Sequence, residues 1–325
     1  MLCLKTWRVY NMLTPKAIFP HIIDSTMLSA FKSCPQQMYY RYIQHWKSQY
    51  LSIDLLAGGA FASALEATRE AFYLHGEDSE GAIAKGCIKL LVEYGENDPV
   101  TDTPKTYDRM LLGFIYFFDE FPLGADGFEP LRETGRIGIE YSFLEPLGIN
   151  HPITGDPILF SGRADMIGHY CDGLYLEDDK TTKQLGQYWN DRWKMRGQFT
   201  GYSWAVQRGL DMPLEGVVVR GIAFKKQSFE CAQVITNRSQ YMIDEWYKQT
   251  IRDLNRMINM WQEGVFDRNW DEACNAFGGC SFQDTCAAEN GEEWLESSME
   301  RRVWDPTVRK EIPYAEWVKQ WAINE

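Results

Sequence analysis

The stretch from Leu174 to Lys183, LYLEDDKTTK, combines the start of a buried strand with a dense group of charges. Successive side chains of a strand alternate between the two faces of its sheet, so Asp178 and Lys180 follow Leu174 and Leu176 on one face. Open sheets bind ligands at strand ends, where polar groups can leave the core without being buried unpaired. The stretch therefore predicts a strand that delivers a carboxylate and an ammonium to a site.

The preceding strand supplies a second carboxylate. Asp165 lies in the run ILFSGRADMIGHY, and a tight turn through Cys171–Gly173 would make the two strands antiparallel neighbours. Asp165 and Asp178 would then converge on one hard cation. Mg²⁺ takes one or two carboxylates together with water and phosphate, and Lys180 could orient a metal-bound water toward a phosphodiester. The alternative is a hairpin tip with solvated charges, which is common for such short patterns.

A polar pair follows on the helix predicted over about residues 188–210. Gln198 and Tyr202 are four residues apart in MRGQFTGYSWA and therefore share one helical face. They could contact a substrate phosphate or base. Equally, Tyr202 could pack on the core with Gln198 at its rim.

The three motifs together resemble the RecB-like branch of the PD-(D/E)xK nuclease superfamily. The matching residues are Gly162-Arg163-Ala164-Asp165 for its G-R-x-D strand, Asp178-Asp179-Lys180 for its D/E-x-K motif, and Gln198 to Tyr202 for its Q-x-x-x-Y helix. Glu140, in GIEYSF, is similar to the acidic residue that precedes the G-R-x-D strand in this branch.

The resemblance implies a role for each of these residues. Asp165 and Asp178 would bind Mg²⁺ or Mn²⁺, and the backbone carbonyl of Asp179 would add a ligand. Lys180 would activate or steer the attacking water, while Gln198 and Tyr202 would position the DNA strand.

The helix Gly58–Glu66, GGAFASALE, departs from the family's G-x-x-x-H-x-x-L-E pattern, because Ala62 stands where that pattern has a metal-binding histidine. An alanine cannot bind a metal ion. Either Glu66 or Glu140 then completes the metal site, or metal affinity is reduced, or catalysis is lost. The other motif residues are retained, which favours an active enzyme.

Three cysteines near the C-terminal side form a second, independent pattern. Cys274, Cys280 and Cys286 recur at intervals of six in a loop rich in Gly and Asn, which can wrap sulfurs around a metal. Cys34, followed by the helix-starting Pro35, is the candidate for a fourth ligand. Spacing alone does not separate zinc from iron.

The sequence around these four cysteines resembles the iron-sulfur subgroup of the same nucleases, which includes CRISPR-associated RecB-like exonucleases, AddB-type helicase-nucleases and phage exonucleases. That subgroup holds a 4Fe-4S cluster with one cysteine before the nuclease core and three after it. The resemblance implies a structural cluster that joins Cys34 to the segment from Cys274 to Cys286. A zinc ion on the same thiols is the alternative.

Composition is that of a globular intracellular protein. The 325 residues are 45% hydrophobic and carry a net charge of −13, but residues 161–260 hold 14 Lys and Arg against 12 Asp and Glu, so a basic face is possible in the middle of an acidic chain. Neither a membrane span nor a convincing signal peptide is evident, which predicts a cytoplasmic protein, in the host cell if phage-encoded. In that compartment the eight cysteines predict thiols or metal ligands rather than disulfides.

Helical periodicity from residue 24 to about 121 gives way to short β-branched and aromatic runs, which predict an α/β fold. The resemblance implies a restriction-endonuclease-like central mixed sheet flanked by helices, with a helical N-terminal annex and an iron-sulfur staple held by four cysteines. The expected divisions are an N-terminal extension (1–23), a helical region with the first cluster cysteine (24–130), the nuclease core (131–265), the three-cysteine loop (266–290) and a C-terminal helical tail (291–325).

The function expected from the resemblance is that of a metal-dependent DNA exonuclease with a structural 4Fe-4S cluster. It would act on single-stranded DNA or DNA ends in recombination, repair or phage DNA processing, together with recombination or replication proteins. One alternative is a catalytically inactive DNA-binding or assembly subunit with the same fold. Another is a zinc-stapled protein unrelated to DNA.

Overall fold

The computed structural model describes residues 18–49, 52–95, 103–133, 136–276 and 279–323. Most of the predicted N-terminal extension, residues 1–17, lies outside the described residues. The chain forms two compact units that are interleaved in sequence. The first comprises Met1–Tyr50, Leu144–Gly162 and Glu245–Glu325, and the second comprises Leu51–Phe143 and Arg163–Asp244.

The described strands are, in chain order, Ile22–Asp24 (β1), Trp46–Ser48 (β2), Glu129–Pro130 (β3), Arg132–Glu133 (β4), Arg136–Ile137 (β5), Ile139–Asn150 (β6), Pro157–Tyr170 (β7), Gly173–Thr182 (β8), Gly216–Phe224 (β9), Phe229–Asn237 (β10), Met299–Asp305 (β11) and Lys310–Pro313 (β12). The described α-helices are Ser25–Ser33 (α1), Pro35–Met38 (α2), Ile53–Arg69 (α3), Ser79–Tyr94 (α4), Tyr107–Glu120 (α5), Gln187–Asp191 (α6), Gly197–Leu210 (α7), Gln240–Glu263 (α8), Glu272–Asn275 (α9), Gln283–Ala287 (α10), Gly291–Ser298 (α11) and Tyr314–Ile323 (α12). Two π-helical segments, Tyr39–Ile43 and Glu70–Leu74, extend α2 and α3.

The second unit contains a mixed sheet. β7 pairs antiparallel with β8, β8 pairs in parallel with β9, and β9 pairs antiparallel with β10. The predicted hairpin between β7 and β8 is present, and its turn residues Cys171 and Asp172 both have positive φ, of 48° and 64°, as a type I′ turn requires. The parallel pair is joined by the crossover through α6 and α7, so the expected mixed α/β fold with a central sheet and flanking helices is confirmed.

Helices cover both faces of this sheet. α3 packs on β8, and α5 packs on β9 and β10, with Phe61, Phe114 and Phe224 in edge-to-face contacts in the core between them. On the opposite face Trp189 of α6 lies directly over Gly221, where a Cβ would collide with the indole. The predicted single helix over 188–210 is instead two helices, because the backbone at Arg196 is extended and starts α7 anew.

In the first unit, β1 pairs in parallel with the beginning of β7, Ile22 opposite Leu159. α1 begins at Ser25, and its N-cap is Asp24, whose side chain accepts a hydrogen bond from the Met27 N–H at 2.8 Å. The indole of Trp304 donates to the other Asp24 oxygen at 2.7 Å. A carboxylate that accepts two hydrogen bonds there satisfies an otherwise free helix N–H.

The C-terminal segment differs from the predicted helical tail. Between helices α11 and α12, strands β11 and β12 form a three-stranded antiparallel sheet with β2. Met299 and Val303 turn their side chains into the core, and the Arg41 guanidinium pairs with Glu311 of β12. The partner strand β2 lies some 250 residues earlier in the chain, so local helical periodicity did not reveal the sheet. None of the helices in the described residues is long and apolar enough to cross a membrane.

Candidate active site

The end of β8 and the adjacent part of β7 bring the two predicted aspartates together in the second unit. Asp165 lies one position beyond the last paired residues, Met166 and Glu177, and its Oδ2 accepts a hydrogen bond from the Asp179 backbone N–H at 3.1 Å. Its charge acts directly on Asp178. The convergence predicted for these two carboxylates is thus present in the structure.

Asp178 and Lys180 form an ion pair on the same face of β8. Burial raises the pKa of Asp178 to about 7, with Lys180 opposing and Asp165 adding to the shift. The ion pair is made by the buried Oδ2 atom of Asp178. Lys180 thus provides counter-charge for Asp178 and Asp165 together, and a bound cation would offset the remaining negative charge.

Glu140 and Arg163 extend the site along β6 and β7. Arg163 Nε lies 2.6 Å from Glu140 Oε2, and Arg163 Nη1 lies 3.4 Å from Glu66 Oε1 on α3. Burial, followed by the charge of Asp165, raises the pKa of Glu140 to about 8. Glu140 also has a φ of 48°, a conformation that costs energy for a residue other than glycine and is characteristic of functional positions. One arginine thus engages both glutamates that could complete a metal site in place of a histidine.

The opposite face of β8 carries a buried ionic network that the sequence did not reveal. Arg69 at the end of α3 contacts Glu177 Oε1 at 2.5 Å and Asp179 Oδ2 at 2.7 Å. Arg220 of β9 contacts Glu177 Oε2 at 3.0 Å and Asp126 Oδ2 at 2.5 Å. The only sequence signal was an arginine in the otherwise apolar strand GVVVRGIAF, because a buried arginine requires buried acceptors.

This network fixes the orientation of Asp179, whose backbone carbonyl is the predicted metal ligand. Its side chain points to Arg69, away from the face that holds Asp178, so only its backbone carbonyl could serve a metal there. The Asp179 N–H positions Asp165, as described above. The network therefore holds the β8 backbone in place at Asp179, and with it the N–H that binds Asp165.

Tyr202 of α7 lies beside the site and packs on the core, as one of the two sequence interpretations predicts. The side chain is 6% exposed and its ring packs edge-on against Phe143 at 5.1 Å. It is also close to Lys180. Gln198, one turn earlier on α7, is half-buried.

Arg196, the residue before α7, adds positive charge to this face. Burial and the neighbouring Arg192 lower its pKa, and the nearby Asp178 carboxylate opposes that shift. Within the described part of the chain, neither arginine side chain forms an ion pair with a carboxylate. Both are therefore available to a phosphate.

The residues present fit a hard cation held mainly by water and substrate. Among the described residues, no three His, Cys, Asp or Glu side chains come close enough together to hold one metal ion. Mg²⁺ and Mn²⁺ do not require such a cage, since one or two carboxylates suffice. Asp165 and Asp178, whose charges act on each other, provide an all-oxygen donor set of this kind.

In the first unit the four predicted cluster cysteines line a single pocket, which we call the thiol pocket: Cys34, Cys274, Cys280 and Cys286. The Asn269 N–H donates to Cys34 Sγ at 3.4 Å, and the Cys280 N–H donates to the Cys274 carbonyl at 2.8 Å. Burial raises the pKa of the Cys280 and Cys286 thiols, and the other cysteines add to the shift. The fold thus brings one cysteine from the N-terminal side and three from the C-terminal side together.

Comparison with known proteins identifies the family. The family model for the PD-(D/E)XK nuclease superfamily matches residues 25–287. A comparison with curated protein sequences gave no match. Similar solved structures include a presumed exonuclease from Eubacterium rectale, with 13% identity, a TM-score of 0.45 and coverage of 79% of this chain and 88% of that one. Another is the protein SSO0001, with 13% identity, a TM-score of 0.28 and coverage of 77% and 83%. Because the family model spans most of the chain, including β7, β8, α7 and all four cysteines of the thiol pocket, the chain belongs to the PD-(D/E)XK nuclease superfamily.

Proposed function

We propose that this nuclease-superfamily chain is a metal-dependent DNA exonuclease of the RecB-like branch that degrades single strands or DNA ends. The observation that supports it most is the group formed by Asp165, Asp178 and Lys180 at the end of the β7–β8 hairpin. Paired carboxylates beside an ammonium are the residue types that phosphodiester hydrolysis needs.

Each side chain has a part in the proposed reaction. Asp165 and Asp178 hold Mg²⁺ or Mn²⁺, which supplies a polarised phosphoryl oxygen and a water of lowered pKa. Lys180 donates hydrogen bonds to the attacking water and to the phosphate as negative charge develops on it. Arg196 attracts the scissile phosphate, and Tyr202 and Gln198 hold the strand against α7.

We further propose that the thiol pocket holds a structural 4Fe-4S cluster. The support for this proposal is that four cysteines, from both sides of the nuclease core, line one pocket. Four thiolates are the ligand set of such a cluster. The cluster would join Cys34 to the loop after α8 and so stabilise the first unit.

A second function is favoured by one observation. Arg163 already occupies Glu66 and Glu140, and Ala62 replaces the histidine that the family pattern places on that helix. The chain would then be a DNA-binding or assembly subunit that lacks catalysis.

One experiment separates the two functions. Linear and circular single-stranded DNA are incubated with anaerobically purified protein in Mg²⁺, Mn²⁺ or EDTA, beside Asp178→Ala, Lys180→Ala and the exposed-turn control Asp172→Asn. An exonuclease removes only the linear DNA, only with metal, and only in the parent and the control. No loss of DNA in either metal would reject the exonuclease and favour the binding subunit.

A further inference from the structure

A groove in the first unit, beside the thiol pocket, is not used by the proposed chemistry. It encloses about 1000 Å³ of space open to solvent. We call it the aromatic groove and define it by six lining residues: Tyr39, Tyr40, Gln44, Phe266, Arg268 and Trp270. Aromatic rings, an amide and a guanidinium are the groups that stack on and hydrogen-bond to nucleobases.

The backbone on both sides of the groove is unusual in ways that shape it. Tyr39 and Tyr40 open the π-helical segment Tyr39–Ile43, and such segments occur frequently at functional sites because they widen the helix at an energetic cost. On the other side, Gly264 has a φ of 72°, which lets the chain reverse after α8 and return along the groove.

The rings of the groove include a stacked pair and one exposed indole. Tyr39 stacks on Phe266 with ring centroids 4.4 Å apart and an angle of 21° between the planes. The Arg268 guanidinium lies 5.8 Å from the Trp270 ring centroid. Trp270 is 64% exposed, although an indole is normally among the more buried side chains. An exposed ring beside a guanidinium offers a planar surface for a base.

The charges in the groove favour a base over a duplex backbone. Asp267 is paired with Arg256 at 3.0 Å, and the Arg268 side chain is hydrogen-bonded to Tyr40. The exposed Glu292 also lines the groove. One arginine, already bonded to a tyrosine and beside a carboxylate, is too little positive charge to follow the phosphates of a double helix. Stacking of an unpaired base requires much less positive charge.

We propose that the aromatic groove binds an unpaired nucleotide of single-stranded DNA, with a base stacked on Trp270. This inference rests on the proposed DNA substrate, but not on cleavage. It makes the first unit a second contact for the strand, separate from the residues that hold the scissile phosphate.

The test measures binding without cleavage. Fluorescence anisotropy follows a labelled 20-nucleotide single strand and a duplex closed by hairpin loops at both ends, using the full-length, iron-loaded protein with Asp178→Asn and Ca²⁺. Trp270→Leu keeps apolar cover over the thiol pocket but removes the ring, and Trp270→Phe keeps a ring. Trp294→Ala is the matched control, because Trp294 is also an exposed tryptophan of the first unit, at 48%, and lies outside the groove. Val265→Glu adds a charge to the groove wall at a residue that does not line the thiol pocket.

We expect Trp270→Leu to weaken single-strand binding by roughly 5- to 150-fold, the range for losing one base–aromatic stack. Trp270→Phe should stay within about 3-fold of the parent, since a smaller ring still stacks. Val265→Glu should weaken binding, and Trp294→Ala should not, all at unchanged iron content. Parent-like binding by both Trp270→Leu and Val265→Glu, or an equal loss for the closed duplex, would overturn the proposal. If the chain cuts no DNA but the groove variants still lose single-strand binding, the exonuclease fails and the groove stands.

Discussion

Replacing Arg69 with methionine should destabilise the protein strongly, because this one guanidinium neutralises two buried carboxylates. The Arg69 side chain is 3% exposed and contacts Glu177 at 2.5 Å and Asp179 at 2.7 Å. Methionine is similar in length and apolar, so the change removes charge and hydrogen bonds with little loss of packing volume.

The size of the effect depends on the interactions that each carboxylate retains when Arg69 is replaced. Glu177 retains Arg220 at 3.0 Å, whereas neither carboxylate oxygen of Asp179 has a well-aligned hydrogen bond within the described residues. Removing one partner of a buried ion pair costs about 3–5 kcal/mol. We expect about 3 kcal/mol for Arg69→Met, because Glu177 keeps a direct ion pair and Asp179 keeps only the more distant charge of Arg220. Arg69→Met combined with Asp179→Asn should recover at least half of that loss, since the orphan charge is gone.

Urea unfolding followed by circular dichroism measures both variants on the full-length protein. Arg256→Met is the matched control: its ion pair with Asp267 is more than half exposed, and exposed pairs contribute about 0–1 kcal/mol. If Arg69→Met lost no more free energy of unfolding than Arg256→Met, or if Asp179→Asn gave no recovery, the network would not have the energetic role assigned to it. The rate of DNA cleavage provides a second readout, because the backbone N–H of Asp179 holds Asp165 in the active site.

Three further predictions concern the two sites. Burial raises the pKa of Asp178 to about 7 and the pKa of Glu140 to about 8, above their values in an unfolded chain. The metal-free protein therefore takes up protons when it folds. Its thermal stability in EDTA should therefore fall as the pH rises from about 5 to about 8, and the fall should be less steep in Asp178→Asn. A rise in stability over that range would contradict the raised pKa values. Ala62→His places an imidazole one turn before Glu66. It should lower the concentration of Mn²⁺ that cleavage requires by a larger factor than the concentration of Mg²⁺. Equal factors for the two metals in a metal titration would argue against a metal site near Glu66. Cys34→Ser should remove most of the bound iron and lower the melting temperature, as measured by iron analysis and calorimetry; full iron content would exclude Cys34 as a ligand.

The sequence predicted the parts of the fold and site that depend on neighbours close along the chain. The β7–β8 hairpin followed from a short turn between two apolar runs, and the convergence of Asp165 and Asp178 followed from that hairpin. The thiol pocket followed from regular cysteine spacing and one distant cysteine. Each of these has a signal within a few residues or a residue type that is rare enough to stand out.

The features that the sequence did not predict depend on distant partners. Arg69 and Arg220 contact Glu177, and Asp126 contacts Arg220, from three separate segments of the chain that no periodicity connects. The strand β11 pairs with β2 from the other end of the chain, so its residues looked like part of a helical tail. The involvement of Glu66 and Glu140 with one arginine depends on side-chain directions at the edge of the sheet.

The alternation along β8 makes the length of the β7–β8 turn part of the active site. Asp178 and Lys180 face one way, and Glu177 and Asp179 face the other, only because the two turn residues fix the register of the hairpin. A shift of one residue would exchange the faces, sending Lys180 toward Arg69 and leaving the catalytic side with carboxylates but no ammonium. Evolution can therefore exchange the turn residues among those that tolerate positive φ. An insertion or deletion of a single residue there would instead convert the catalytic strand into an inactive one while its composition stayed almost the same.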